Sequence, residues 1–399
     1  MLPVNFKEIY FDNNATTQPL PEVREAMLEV LGSNFGNPSS AHSSGNRARE
    51  YIVRARESLS ELIGVDSSQL FFTSGATEAN NMVLASISKG KLRKPRIVTT
   101  QIEHSSILKF CDHLTENGAE IIYLPVNNQG YVSISDLESS ITEETNLVSV
   151  QWVNNETGII QLIETIGNVC RERGVLFHTD AAQAVGKLEM IVSIMPIDFL
   201  SLTGHKFHGP QGIGALYIRT PRCLEPMFYG GPQEHGLRAG TENIPGIVGI
   251  GKASELRNKR LKEIQRRLSD LRDRFENLVL EMVPGTKVNG DRNNRVCNTT
   301  NLLFPDIEGQ ALVAQLDQTG IRCSQSSACT NQSPEPSYVL RAMGLTEDEA
   351  YSSVRFSFSE LNTFKEVDLA VKKIAEIYNK LRTFGINIRS RLGNARVLS

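Results

Sequence analysis

The chain has 399 residues, with 42 lysines and arginines against 45 aspartates and glutamates, a formal net charge of −3; that balance excludes a polyanion binder held by bulk charge. Apolar residues make up 40% and charged residues 22%, with 30 glycines and 16 prolines, which is a globular composition long enough for two or three domains and not that of a disordered or collagenous chain. No apolar run reaches the roughly 18 residues of a bilayer span, and the opening MLPVNFKEIYFDNNATT has no basic stretch followed by an apolar one, so a soluble, unexported chain is expected.

Seven β-rich runs alternate with segments of helical period over the first 220 residues: LFFTSG (70–75), RIVTT (96–100), IIYLPV (121–126), LVSVQWV (147–153), VLFHTD (175–180), DFLSL (198–202) and IGALYI (213–218). Alternation of this kind predicts an α/β fold with a mainly parallel sheet, whose functional groups gather at the carboxyl ends of the strands. From about Glu255 the texture changes. Leu256, Leu261, Ile264, Leu268, Leu271, Phe275, Leu278 and Met282 recur mostly at three- and four-residue spacing, the stripe of one long amphipathic helix. A strand at 298–304, a helix near 308–319 and a strand at 352–358 follow, with capping boxes at Thr346/Glu349 and Thr363/Glu366 marking further helix starts. The tail 385–399, with Arg389, Arg391 and Arg396, shows no sustained pattern and reads as peripheral. The basic run KRLKEIQRR (259–267) sits among Glu255, Glu263, Asp270, Asp273 and Glu276 with no aromatic residues between, so it reads as a solvated helix face rather than a nucleic-acid surface. Six cysteines, Cys111, Cys170, Cys223, Cys297, Cys323 and Cys329, contain no CxxC pair, which fits buried thiols in a reducing, cytoplasmic compartment and leaves zinc without its ligand spacing.

Chemistry concentrates at the predicted strand ends. Lys206, in SLTGHKFHGPQG, follows a strand with His205 and His208 on either side; a lysine there acts as a nucleophile once burial or nearby cations strip its proton. Asp180 ends VLFHTD at the same edge of the sheet. A strand-end acid with a lysine suits pyridoxal phosphate, the acid keeping the pyridine nitrogen protonated and the lysine holding the aldehyde as a Schiff base; Asp180 alone reads equally as a helix N-cap. Gln183 is placed to donate to the cofactor's phenolic oxygen. SGATEAN follows a strand and opens a helix, so the backbone N–H groups at Ala76 and Thr77 and the Thr77 hydroxyl form an anion site for the phosphate, with Thr203 and His205 completing it. His104 follows RIVTT, where an imidazole stacks on the ring and passes protons. Asn155 offers an amide to a ring oxygen or a carboxylate, and Arg355 a planar fork to a carboxylate.

With these residues in place the chain resembles the cysteine desulfurases, fold type I pyridoxal phosphate enzymes of the class V aminotransferase group. The resemblance runs through FDNNATT (11–17), GNPSSAHSSG (36–45), TSGATEANN (73–81), EHSSIL (103–108), VNNETG (153–158), HTDAAQAVGK (178–187), GHKFHGPQGIGALY (204–217), RAGTEN (238–243) and SACTNQSPEPSYVLRAMG (327–344). It implies a large domain (16–255) with a mainly parallel seven-stranded sheet and a smaller α+β domain made of 1–15 and 256–399. It also implies the cofactor on Lys206, Asp180 at the ring nitrogen, His104 on the ring, and Thr77, Thr203 and His205 at the phosphate, with Thr241 reaching the phosphate of the other subunit of a homodimer. Cys329, in a stretch rich in Ser, Gln and Asn, resembles the family's nucleophile, and Cys323 reads as structural. The implied reaction turns L-cysteine into L-alanine and a persulfide on Cys329, passed to an acceptor or scaffold protein for iron–sulfur cluster assembly or nucleic-acid thio-modification. No direct nucleic-acid or membrane contact is expected. Three positions depart from the family pattern: Ser326 before the nucleophile, Pro232 within a glycine run, and SELNT (359–363) after Arg355. The alternatives are an aminotransferase or C–S lyase that forms no persulfide, and a non-catalytic docking paralogue.

Overall fold

The computed structural model describes residues 8–89, 94–220, 224–325 and 335–396, with side chains throughout these except at 88, 89 and 384–396. A two-residue strand, β1 (Ile9–Tyr10), precedes the seven expected ones, all of which form: β2 (Leu70–Thr73), β3 (Arg96–Thr100), β4 (Glu120–Leu124), β5 (Thr145–Ser149), β6 (Leu176–Asp180), β7 (Phe199–Thr203) and β8 (Gly214–Ile218). They make one sheet in the order β2-β8-β7-β6-β5-β3-β4. Only β8 runs opposite to the other six strands.

Successive residues along a strand enter opposite cores, as the period of two requires. Phe71, Ile97, Leu147, Phe199 and Leu216 pack with helices Ala76–Lys89 and Ser105–Glu116, while Phe72, Val98, Val148, Leu200 and Tyr217 pack with helices Ser43–Ile63, Ile163–Glu172 and Ile244–Met282. Both faces are covered, which is why these strands are continuous apolar runs rather than alternating ones. The chain moves outward from β3 to the edge strand β4 and then returns to the other side of β3 with β5, so the order reverses between β3 and β5. A reversal of this kind opens a crevice at the carboxyl ends of the strands.

A second sheet is formed by β9 (Lys287–Val288), β10 (Thr299–Leu303) and β12 (Ser353–Ser357) in the order β12-β10-β9, and β11 (Ile321–Arg322) pairs in parallel with β1. Bridges Asp12↔Ser357 and Ser324↔Arg355 tie the N-terminal segment and the β11 segment to β12.

The long helix starts at Ile244, eleven residues before the apolar stripe announces it. Its first turns are buried all round and rich in glycine, so they carry no period; a Cβ on Gly251 would stand 2.5 Å from Cα of Ala55, and one on Gly249 2.7 Å from Pro210. The helix Gly309–Gln318 and the Thr346/Glu349 capping box stand where they were expected. At Thr363, its backbone N–H donates to Glu366 and the Glu366 N–H donates back to the Thr363 hydroxyl. The tail is not patternless in structure: the helix that begins at Phe364 continues to Arg396, since no proline interrupts it. Within 259–267, Lys259, Arg260 and Lys262 pair with Glu255, Glu263 and Glu189. Among the described residues no helix is long and apolar enough to cross a membrane.

Candidate active site

A cavity of about 430 Å³ opens at the carboxyl ends of the strands, at the reversal between β3 and β5. Its lining includes Lys206, Asp180, Gln183, His104, Ala76, Thr77, Asn155, Thr203, His205 and Arg355. Ten side chains singled out by residue type and strand position therefore meet in one place. Two do not. Thr241 lines a separate cavity of about 220 Å³ that shares Ser74 and Gly212 with the first, and Cys329 lies outside the described residues.

Lys206 ends the 3-10 turn Gly204–Lys206 that follows β7. Its Nζ donates to the main-chain oxygen of Asn14 and, at 2.8 Å, to that of Ala15. The segment 14–18 holds the whole lysine turn. Thr17 donates through its N–H and its hydroxyl to the His205 oxygen (2.8 and 2.9 Å), and its hydroxyl accepts from the His208 N–H at 2.7 Å. His208 has φ +70°, a conformation that costs a non-glycine residue about 1–2 kcal/mol, and its Nδ1 lies 2.7 Å from the Gln18 oxygen. Burial pushes both His205 and His208 down to about 4, so neither supplies the positive charge beside Lys206 that the sequence suggested. The neighbouring cation is instead a second lysine, Lys187, whose charge acts on His205 together with that of Lys206.

Asp180 closes β6. Its Oδ1 accepts from the Ala182 N–H at 2.9 Å and its Oδ2 from Asn80 Nδ2 at 2.7 Å, so it is a turn cap and a cavity carboxylate at once. Asn80 also donates to Ser106 Oγ at 2.9 Å, and Ser106 meets His104 Nδ1 twice, from its Oγ at 2.8 Å and its N–H at 3.1 Å. Because a backbone N–H donates to Nδ1, the neutral His104 ring carries its proton on Nε2. Burial lowers the pKa of His104, against the pull of Asp180, and the ring caps the helix Ser105–Glu116.

The helix Ala76–Lys89 points its N-terminus at the cavity, and the first N–H groups of a helix have no intrahelical acceptor. Glu78 in that first turn accepts from the Ser74 N–H at 2.8 Å and pairs with Arg238 at 3.0 Å; burial raises its pKa, but these partners outweigh it and hold the group ionised and neutralised. The Thr203 hydroxyl, beside Gly75, donates to the Ile213 oxygen at 3.2 Å.

Arg355, on β12 and 1% exposed, donates from NH2 to Asp12 at 2.7 Å and from NH1 to the Asn155 oxygen at 3.0 Å. Its Nε and the Asn155 Oδ1 are buried with no hydrogen-bond partner among the described residues. Structural pairing with an acid and a place in the cavity wall thus coexist in one arginine.

Glu103, next to His104, is fully buried; Thr100 Oγ1 and the Gln151 N–H donate to its Oε1 at 2.7 and 3.0 Å. Burial pushes it from 4.5 to about 8, so it is protonated at neutral pH. A carboxyl whose pKa is higher in the fold than in the unfolded chain binds more protons when folded, and the protein loses stability as pH climbs between those two values. Glu103→Gln keeps the neutral form at every pH. The melting temperature of the variant relative to the parent should therefore rise from pH 5 to about pH 9 in thermal denaturation; an equal difference at both would show that the carboxyl ionises freely.

The chain matches the family described as Aminotransferase class-V over residues 9–370. It is 44% identical over 374 residues to a cysteine desulfurase of Trichormus azollae, with 94% of each chain covered. Among solved structures, a NifS-like protein superposes with a TM-score of 0.89 at 36% identity, covering 94% of this chain and all of the other. SspA in complex with cysteine superposes with a TM-score of 0.79 at 36% identity, over 90% of this chain and all of the other.

Proposed function

Because the chain belongs to the class-V aminotransferase family and, within it, to the cysteine desulfurases, we propose that pyridoxal phosphate binds in the Lys206 cavity and that Cys329 receives the sulfur of L-cysteine. The carrying observation is that Lys206 and Asp180, from different strands, share one cavity with a helix N-terminus and a partly unpartnered arginine. The cavity volume falls within the roughly 300–1,000 Å³ of small-molecule sites. Its donors suit the cofactor: helix amides, Thr77 and neutral His205 for the phosphate, Asp180 for the ring nitrogen, and the Lys206 amine for the aldehyde.

When bound, pyridoxal phosphate supplies a carbonyl that condenses with amines and a protonated ring that takes up an electron pair. Arg355 Nε–H, left free by Asp12 and Asn155, binds the substrate carboxylate and fixes its orientation. Lys206 Nζ, steered by the oxygens of Asn14 and Ala15, takes the proton from the substrate Cα. His104, neutral with its proton on Nε2, covers the ring and exchanges protons at the cavity side. The Cys329 thiolate attacks the substrate sulfur; the new S–S bond forms as Cβ–S breaks, the electron pair stays with Cβ, which takes a proton, and Lys206 returns the proton it removed to Cα, giving alanine.

Both flanks of the Cys329 stretch support its part in this. Ser324 exchanges backbone hydrogen bonds with Arg355 at 3.3 and 2.7 Å, and Ser337 Oγ donates to Glu156, beside Asn155. From Gln325 the chain reaches Cys329 in four residues, about 14 Å at most. The persulfide passes to an acceptor or scaffold protein. A cytoplasmic setting is supported by the free, buried thiols of Cys111, Cys170, Cys297 and Cys323. The division into 16–255 and 1–15 with 256–399 is supported by the seven-stranded sheet lying in the first and by β1 pairing with β11 in the second. A homodimer is supported by Thr241 lying off its own chain's cavity and by the exposure of Leu28, Leu31, Phe35 and Tyr229, at 60–77%.

The test is borohydride reduction of the cofactor-loaded protein, followed by peptide mapping and light scattering. The cofactor mass should appear on Lys206 of a particle with twice the chain mass. Label on another lysine sinks the cofactor reading, and a fully loaded, active monomer sinks the dimer.

A further inference from the structure

Behind the cavity wall, with no part in the steps above, lies Lys187. It is 5% exposed and does not line the cavity. Its Nζ donates to Gln183 Oε1 at 2.5 Å and to Asn14 Oδ1 at 3.3 Å. The titratable groups that act on it are Lys206 from the lysine turn, Cys297 from the segment before β10, Arg257 from the long helix and Arg355 from β12, and its own charge acts on His205 and His208; none of these is a carboxylate. Burial, with the charge of Lys206 next, pushes Lys187 down to about 7. A buried amine without a carboxylate destabilises a fold, and an apolar side chain of similar volume would serve packing better. What an apolar side chain lacks is the donors.

In its charged form Lys187 has three donors and no acceptor, so a carboxamide that faces it presents oxygen and turns its NH2 away. Both neighbouring carboxamides obey. Gln183 presents Oε1 to Lys187 and its Nε2 donates to the Asn14 main-chain oxygen at 3.0 Å, the oxygen that also accepts from Lys206. Asn14 presents Oδ1 to Lys187, while its Nδ2 donates to the Asn155 oxygen at 3.1 Å and Thr299 Oγ1 at 2.8 Å. With an apolar group at 187 only the Asn14 main-chain oxygen would hold the Gln183 NH2 in place, and a flipped carboxamide would turn its oxygen on the electron-rich phenolic oxygen of the cofactor.

We propose that Lys187 is a positioning residue that acts through Gln183, locking its carboxamide with the donor turned toward the cofactor's phenolic oxygen. This rests on the reading that the cofactor occupies the Lys206 cavity with Gln183 beside that oxygen. An amide donor stabilises the oxygen in its charged form, so its loss raises the pH at which the visible absorption band of the loaded enzyme titrates.

The experiment compares the absorption spectra and their pH midpoints in the loaded parent, Lys187→Met, Gln183→Leu and the double variant. Each single variant should move the midpoint upward by at least about 0.5 unit, and the double variant should move it no further than Gln183→Leu alone, since two residues acting as one unit are not additive. A shifted Gln183→Leu beside an unshifted Lys187→Met overturns the inference and leaves the cofactor reading standing, as does a fully additive double variant. An unshifted Gln183→Leu, in protein whose Lys206 carries the borohydride label, overturns both the inference and the role of Gln183. If Lys187→Met does not fold, Lys187→Arg and Lys187→Gln take its place. The arginine head only donates and should keep the parent spectrum; the glutamine head also accepts and should follow Gln183→Leu. Identical spectra for these two overturn the proposal.

Discussion

Lys206→Ala is expected to lower alanine formation from cysteine by at least about 10⁴-fold, because in the proposed function one side chain serves both as the amine that anchors the cofactor and as the base that takes the Cα proton. The surrounding site should survive the change. Lys206 is held by main-chain oxygens of Asn14 and Ala15, and the 14–18 segment keeps its other ties to the turn through Thr17, His205 and His208. The variant should therefore still take up pyridoxal phosphate non-covalently and change its spectrum on adding cysteine. Proton removal is what fails, whatever sulfur acceptor is supplied, and a small primary amine in solution should restore a fraction of it. Turnover within tenfold of the parent would mean that another group is the base.

The larger sheet was legible because its strands are buried on both faces and so read as short apolar runs with turn residues at their ends; β2 to β8 fall where those runs fall. Asp180, His104 and Lys206 were legible for a related reason, each being a titratable group just past such a run. What escaped is instructive in physical terms. The segment 12–18 acts mainly through main-chain oxygens and small hydroxyls, which any sequence offers, so FDNNATT stood out only as part of a family likeness. Asn80 reaches Asp180 across 100 residues of chain, and no local pattern encodes such a contact. Lys187 carried no reading of its own, because nothing in HTDAAQAVGK signals that the lysine four residues after Gln183 is buried. The early start of the long helix was hidden by glycines whose purpose, close approach to Ala55 and Pro210, lies in other elements. Periodicity reports burial on one face; it is silent about elements buried on all faces and about polar groups that work by facing one another.

The remaining large effect is that of Cys329→Ser, which separates a desulfurase from every other use of the same cavity. Arg355, Asp180 and Lys206 are untouched by the change, so cysteine should bind and alter the cofactor spectrum as in the parent. Persulfide formation should fall by about 10³-fold or more, since a serine hydroxyl ionises far less readily than a thiol and cannot hold a second sulfur. Cys323→Ser is the control. Cys323 is 8% exposed, and burial, with Asp12 nearby, pushes its thiol far up from its ordinary value, which leaves no thiolate for attack at neutral pH. That variant should retain turnover. The measurement is alanine and sulfide release from cysteine in the presence of a reductant, with the cofactor absorbance followed in parallel. If Cys329→Ser turns over cysteine as the parent does, sulfur leaves without passing through a thiol of the protein, and a lyase that releases free sulfide replaces the persulfide route.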